Sequence, residues 1–442
     1  DISGVCCLRL ERMAYVKNSP INRTVSYNNV AVFASDPAYS SAAEADSSTS
    51  YLGNRAVLDG EAGGSGRVVA VERLAPKIST KKLVIVMVGM PARGKSHIAS
   101  HIERYLGWIG FPTRIFNVGS YRRKLTAGDQ SADFFDPENP EGLKIRRELA
   151  MACLYDMIEW LKNEHGEVGI YDATNSTRSR RDLVRTTLEN EGIRVLFTES
   201  ICTDESVIEN NILQTKLFSP DYRDKDPATA VNDFRQRIHM YEKAYEPLGG
   251  EESKICSFVK IVDAGESFIV NKIQGFLQSK IVAYLLNTHI TRRPIYLTRC
   301  GETDWSRDQK LGGDDFLNLR GRNYAEKLAS FVAEEFPNEN HPLIWTSQLR
   351  RTRQTVEFIP TISMCWRALN HLDPGDCEGL NLLEMQKKMP GEFRKLHLDP
   401  FRYRYPGGES YMDVINRVEP VILEIERQKV PILIVAHDST LR

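Results

Sequence analysis

Residues 89–96 read Gly-Met-Pro-Ala-Arg-Gly-Lys-Ser, a G-x-x-x-x-G-K-[ST] spacing in which each specified residue type has a physical task. Gly89 and Gly94 let successive backbone N–H groups curl around a phosphate, and a helix starting there adds partial positive charge. Lys95 can reach β- and γ-phosphate oxygens, while the Ser96 hydroxyl can ligate Mg²⁺. A second oxygen donor is expected near that metal. Asp172 ends the apolar run "GEVGIYD", and open parallel sheets bind ligands at such strand ends. Its carboxylate can hold Mg²⁺ through water or take a proton from an attacking hydroxyl. An isolated Asp-Ala-Thr can also be a helix cap, but beside a phosphate loop the chemical role is preferred.

Arginines crowd the same half of the chain. Arg122 and Arg123 stand in "SYRRK", Arg146 in "KIRRE", Arg178, Arg180 and Arg181 in "STRSRR", and Arg237 in "FRQRIHMY". A single arginine is commonly a solvated charge. Several in one neutral unit suit bidentate phosphate recognition and predict an acceptor that is itself a phosphorylated small molecule.

A different chemistry is suggested by "YLTRCGETDW", residues 296–305. A strand ending in Arg-x-Gly-Glu usually carries a histidine nucleophile at x, and this chain has Cys300. Cysteine phosphatases hold their thiolate in a C-x5-R loop; the arginine following Cys300 is Arg307, a C-x6-R spacing, and Glu302 and Asp304 intervene. Arg299 and Arg351 can still favour a thiolate. The spacing argues for a retained scaffold with decayed catalysis.

Strands and helices must alternate to position these groups. "KLVIVMVG", "TRIFNVG", "GEVGIYDAT", "IRVLFTESI" and "SFVKIVDAG" are apolar strands separated by helical-period stretches such as "EGLKIRRELAMACLYDMIEWLKN". Strands apolar on both faces with helices between them imply a doubly wound, mostly parallel sheet. "SFIVNKIQGFLQSKIVAYLLNTH" reads as a long amphipathic helix closing the unit, and "TRRP" as a linker. A second α/β series follows: "PIYLTRCG", "RNYAEKLASFVAEEF", "PLIWTS", "SYMDVINRVEPVILEIERQ" and "PILIVAH". The chain stops at "HDSTLR", where a helix is expected to start, so this unit is expected to lack its last elements.

Length and composition are consistent with several units. The chain has 442 residues, 41% hydrophobic and 26% charged, with Lys+Arg 58 against Asp+Glu 59. That length exceeds one ordinary core. The balanced charge gives no field for nucleic acid or a membrane surface, and no apolar run has the length of a membrane span. Eight cysteines without metal-type spacing read as reduced thiols of a cytoplasmic protein. Residues 1–78, with "SDPAYSSAAEADSSTSYLG" and "DGEAGGSG", have the composition of a flexible N-terminal extension, with a short docked piece near "GRVVAVERL". The chain begins with Asp rather than Met.

Taken together, "VMVGMPARGKS", "NVGSYRRK", "YDATNSTRSRR", "ESICTDE", "NNILQTKLFSPDY", "RIHMYEKAYEPL" and "RRPIYLTRCGE" resemble the 6-phosphofructo-2-kinase/fructose-2,6-bisphosphatase family from about Lys81 to Arg442. The resemblance implies a P-loop kinase domain over 79–290 and a histidine-phosphatase (phosphoglycerate-mutase-like) α/β domain over 291–442. It implies MgATP-dependent phosphorylation of fructose 6-phosphate at its 2-hydroxyl, with ATP as co-substrate, Mg²⁺ as cofactor, and a homodimer as the assembly. By motif, Asp172, Lys95, Lys216 and Cys202 match the catalytic set. Gly89, Met90, Pro91, Ala92, Arg93, Gly94, Lys95, Ser96, Asn211, Gln214 and Lys216 match the ATP contacts, with Ser96 and Asp172 at the metal. Arg122, Arg146, Thr174, Arg180, Lys216, Arg237 and Tyr241 match the sugar-phosphate contacts.

In the second half the resemblance implies a phosphate cage of Arg299 and Arg351, a general acid Glu378, a second histidine His437, and further contacts Tyr411 and Arg442. Cys300 stands at the nucleophile. Other departures surround it: Ser306 replaces an asparagine contact, Leu382 a tyrosine, Leu396 and Pro400 two cations, and Asp438 a glutamine. Each lost charge-assisted contact is worth roughly 1.5–3 kcal/mol. The expectation is a kinase whose phosphatase half is silent; a bifunctional enzyme with residual hydrolysis is the alternative. A non-enzymatic scaffold is disfavoured by the intact phosphate loop.

Overall fold

In a computed structural model, the described residues are 7–10, 82–125, 132–213, 226–288, 293–337 and 341–442. They contain eleven strands: β1 (Cys7–Leu10), β2 (Leu83–Val88), β3 (Thr113–Asn117), β4 (Val168–Asp172), β5 (Arg194–Ile201), β6 (Phe258–Val262), β7 (Ser267–Asn271), β8 (Ile295–Arg299), β9 (Leu343–Thr346), β10 (Ser363–Cys365) and β11 (Ile432–Ala436). Two sheets result, ordered β3-β4-β2-β5-β6-β7 and β1-β8-β11-β9-β10.

The first sheet is parallel except for the antiparallel β6–β7 pair. Strand β2 lies at its centre with every residue fully buried, because alternate side chains enter two different cores. Leu83, Ile85 and Met87 pack with Ile102, Leu106 and Ile281 on one face. Val84, Val86 and Val88 pack with Leu154, Met157 and Val184 on the other. Burying each such side chain is worth about 1.5–3 kcal/mol. The central strand therefore fixes the position of the loop that follows it.

The stretch expected to be one long closing helix divides instead. Ser267–Asn271 pairs back onto β6, and the helix runs only from Phe276 to Asn287 after Gly275 at φ 82°. The run Ser-Phe-Ile-Val-Asn satisfies its backbone groups on the free edge of β6, which helical periodicity alone does not register.

The second sheet is parallel apart from β1, which adds antiparallel to β8. No strand is foreseen from the composition before residue 79, so this pairing of Cys7–Leu10 departs from the sequence reading. The stretch "GRVVAVERL" lies outside the described residues. Helices Leu319–Glu335 and Tyr411–Arg427 cover this sheet, and a short helix Asp438–Leu441 follows β11.

Candidate active sites

The phosphate loop leaves the C-terminal end of β2 and enters helix Lys95–Trp108. Gly89 has φ 132°, and a Cβ there would lie 2.5 Å from the Ser200 carbonyl oxygen, so only glycine fits. Ala92 takes φ 61° and Gly94 φ 80°, turning the intervening backbone. The loop is braced from outside. Gly89 N–H donates to the Thr174 carbonyl at 2.9 Å, and Asn211 Nδ2 donates to the Ala92 carbonyl at 3.0 Å. Ser200 Oγ bonds the Arg93 carbonyl. Nε of Arg93 is buried without a hydrogen-bond partner, and burial pulls that guanidinium below its usual range. An orphaned buried donor in a curled loop fits an anion.

Ser96 Oγ donates to Asp172 Oδ2 at 2.7 Å. The β3–β4 register sets Asn117 beside Asp172, and Asn117 Nδ2 donates to the same oxygen at 2.5 Å. Asp172 is 4% exposed. The carboxylate and hydroxyl are hard oxygen donors at the entrance to the phosphate loop, a set that fits Mg²⁺, which takes few protein ligands beside phosphate and water. Lys95 Nζ bonds the Met90 carbonyl at 2.5 Å across the loop. Cys202 is buried, with its thiol 3.7 Å from the Asp204 carbonyl, and burial pushes it up against a backbone hydrogen bond at Asp204 and the charge of Arg93. Gln214 and Lys216 lie outside the described residues.

Four of the expected sugar-phosphate residues converge on Phe135, which the sequence reading did not single out. Arg237 lies over its ring at 3.8 Å and Arg122 at 5.2 Å. Arg146 donates to the Phe135 carbonyl at 2.6 Å and to the Asp136 carbonyl at 3.0 Å. The Tyr241 ring is 5.8 Å from that of Phe135. Burial lowers the Arg146 guanidinium, opposed by Tyr241 and Asp136. Only tertiary contact joins Ala132–Phe135 to helix Pro227–Glu242, so no local signal marks Phe135.

The remaining arginines separate. Arg180 Nη2 donates to the Tyr171 hydroxyl at 3.3 Å, one residue from Asp172. Arg181 is 1% exposed and makes a bidentate pair with Glu252 at 2.8 and 2.6 Å, while Nη1 caps the Glu246 carbonyl at 2.8 Å. Arg178 is exposed and reaches Glu252 at 3.8 Å. Arg181 is thus consumed internally, and its membership of a phosphate-binding cluster is corrected. Helical periodicity turns it away from Arg180 and into the core.

In the second half, the β8–β11 register pairs Arg299 with Ala436, which sets Cys300 and His437 side by side at the strand ends. Cys300 Sγ is 3.8 Å from His437 Nδ1. Arg351 Nε donates to that nitrogen at 3.3 Å, and the Ser347 hydroxyl lies 2.8 Å from Nε2. Burial, then Arg351 and His371, hold the His437 imidazole well below its ordinary range. Burial pushes the half-buried Cys300 thiol up, against Arg351 and Arg299. Both groups are therefore neutral near pH 7. Arg351 Nη1 is drawn to the Gly313 carbonyl at 2.7 Å, and Glu378 Oε1 accepts from Gly313 N–H at 3.1 Å.

Asp438 lies 3.8 Å from Arg299 and 2.8 Å from Arg442. Ser306 is turned into a helix cap with Thr303, accepting from Thr303 N–H at 2.9 Å. Leu382 is half exposed at the first turn of Leu382–Lys388, and Leu396 packs with Tyr411 against the cluster containing Met385 and Tyr405. Ser347, unmarked in the sequence, is identified only through its contact with His437.

Fold and sites define a phosphate-loop nucleotide-binding unit joined to a histidine-phosphatase-like unit. The family model for 6-phosphofructo-2-kinase matches residues 71–292, and that for the histidine phosphatase superfamily (branch 1) matches residues 295–442. Among curated relatives, 6-phosphofructo-2-kinase/fructose-2,6-bisphosphatase 4 of Rattus norvegicus is 46% identical over 359 residues, 81% of this chain and 76% of that protein. The 6-phosphofructo-2-kinase/fructose-2,6-bisphosphatase of Gallus gallus is 43% identical over 367 residues, 83% of this chain and 77% of that protein. Bacillus stearothermophilus YhfR, a solved structure, is 27% identical over 34% of this chain and 76% of its own, with a TM-score of 0.31. The chain belongs to the 6-phosphofructo-2-kinase/fructose-2,6-bisphosphatase family, and its first half is a 6-phosphofructo-2-kinase domain. No helix among the described residues is long and apolar enough to cross a membrane.

Proposed function

We propose that this protein phosphorylates fructose 6-phosphate with MgATP to give fructose 2,6-bisphosphate, and that its second half does not hydrolyse that product. The observation carrying the kinase reading is the pair Ser96–Asp172 at 2.7 Å beside the phosphate loop. When bound, Mg²⁺ would neutralise phosphate charge during transfer. Ser96 and Asp172 would hold it, directly or through water. The loop's N–H groups and Lys95 bind the phosphates, and Lys216 is assigned to the transferring group by family resemblance. Asp172, fixed by Asn117, accepts the proton of the sugar 2-hydroxyl as its oxygen bonds to phosphorus and the β–γ bridging oxygen departs with ADP. Arg122, Arg146 and Arg237, organised by Phe135, hold the 6-phosphate by charge-assisted bonds; Thr174, Arg180 and Tyr241 complete that side.

Silence of the second half is supported by Cys300, whose half-buried thiol is pushed up and stays protonated, and by Asp438 against Arg299 and Arg442. An anion in the cage opposes a phosphate dianion. A homodimer is inferred from the family, and a cytoplasmic location from the six free cysteines among the described residues. Assay of the purified chain with MgATP and fructose 6-phosphate tests the reading. Product must accumulate without turnover; hydrolysis of fructose 2,6-bisphosphate that Cys300→Ser abolishes would establish the bifunctional alternative.

A further inference from the structure

One face of helix Lys95–Trp108 runs from the phosphate loop to the second half. His97, His101 and Tyr105 recur every fourth residue, so their side chains stack along one side. The His97 and His101 rings are 4.4 Å apart. Nδ1 of His101 is 3.3 Å from the Tyr284 hydroxyl, and the Tyr284 ring stacks on Tyr105 at 4.2 Å and 6°. His101 and both tyrosines are buried. At the far end the Tyr105 hydroxyl donates to Glu419 Oε1 at 2.6 Å. Lys280 Nζ reaches both Glu419 oxygens at 2.6 and 2.5 Å.

Glu419 belongs to helix Tyr411–Arg427 of the second half, and its side chain is 12% exposed. Apolar contacts flank it in both directions. Trp108, the last residue of the phosphate-loop helix, packs against the cluster of Met385, Val414 and Val418. Leu423, one turn beyond Glu419, packs against the core of Ile102, Leu106 and Ile281.

We propose that Glu419 is a positioning residue for the nucleotide loop, through which the second half, with or without chemistry of its own, orients Lys95 and Ser96. The proposal rests on the kinase reading. A carboxylate bonded to a phenol and an ammonium at low exposure fixes the rotation and tilt of the helix end it grips. A helix of 14 residues spans about 21 Å and moves as a rigid element. Freedom at Tyr105 is therefore returned as misplacement at the first turn, to which phosphoryl transfer is sensitive.

The test uses the full chain as wild type, Glu419→Gln, Glu419→Asp, Tyr105→Phe and the Tyr105→Phe/Glu419→Gln double variant, each below its melting temperature. MgATP binding is measured by equilibrium dialysis, alongside KM for ATP and for fructose 6-phosphate. Glu419→Gln is expected to raise the MgATP Kd and KM about 3–10-fold, with KM for fructose 6-phosphate unchanged. Glu419→Asp should recover most of the loss, and the double variant should be no worse than Glu419→Gln. A lower Tm with unchanged MgATP binding, or equal changes in both KM values, would overturn the proposal. Should Glu419→Gln fail to fold, Lys280→Met and Tyr105→Phe, each removing one donor, make the same comparison. A wild type that binds MgATP but forms no product would refute the kinase assignment, while the binding comparison still decides the role of Glu419.

Discussion

The sulfur of Cys300 lies 3.8 Å from Nδ1 of His437, and that same nitrogen accepts from Arg351 Nε at 3.3 Å. The imidazole lone pair is thus committed to a fixed cation rather than available to take the thiol proton. Geometry that in a phosphohistidine site would serve transfer leaves two neutral groups facing each other. Incubation with fructose 2,6-bisphosphate labelled in its 2-phosphate should give no phosphoenzyme, and Cys300→Ser should leave background hydrolysis unaltered. Alkylation of Cys300 should be slow at pH 7 and accelerate well above it, because burial raises the thiol. A rapidly labelled thiol at neutral pH would count against a silenced site.

The short contacts around Asp172 lead to a kinetic expectation. Asp172→Asn should lower kcat about 10²–10⁴-fold, the usual scale for a positioned proton acceptor, with the protein folded. Asn117→Ala removes only the group that fixes the carboxylate and should cost less. Steady-state rates at saturating MgATP and sugar phosphate read both; equal losses would mean that Asn117 does more than orient.

Phe135 is predicted to control the sugar-phosphate side without touching phosphate chemistry. Two guanidiniums lie on its ring, and each cation–π contact is worth about 0.5–2 kcal/mol. Phe135→Ala should raise KM for fructose 6-phosphate about tenfold or more and leave KM for ATP near wild type. Phe135→Tyr should be nearly silent. A change confined to KM for ATP would refute the assignment.

Arg181 and Glu252 form a buried ion pair, and loss of one partner of such a pair typically costs about 3–5 kcal/mol. Arg181→Met should lower Tm sharply, as seen by calorimetry. Below the new Tm, KM for fructose 6-phosphate should stay close to wild type, since the guanidinium is spent on Glu252 and the Glu246 carbonyl. A large KM effect in a stable variant would return Arg181 to the substrate site.

Acid should destabilise the second half. His437 and His371 are both held below the ordinary histidine value of 6.5 by burial. Below that pH the unfolded chain binds protons that the folded one refuses, so stability is complete above about pH 6.5 and falls as pH drops toward the folded values. Each such histidine contributes up to about 1.4 kcal/mol per pH unit. Urea midpoints between pH 7.5 and 5 should show this slope, and His437→Gln should flatten it. Stability rising on acidification would contradict the burial of these rings.

Much of the molecule is legible in one dimension. The phosphate loop, Asp172 at a strand end, and the two α/β series follow from local spacing and apolar periodicity, because each glycine, strand and helix start depends on neighbours a few residues away. Cys300 and its surrounding replacements are equally visible, since the absence of an imidazole needs no coordinates. Tertiary structure decided the rest. Phe135 became an organiser, Arg181 a core ion pair, Ser306 a cap, and Ser267–Asn271 a strand, each through partners distant in the chain. Glu419 meets Tyr105 across 314 residues. Sequence spacing constrains contacts only within a helical turn or a strand pleat; which charge meets which across a sheet or between two halves is set by packing and register.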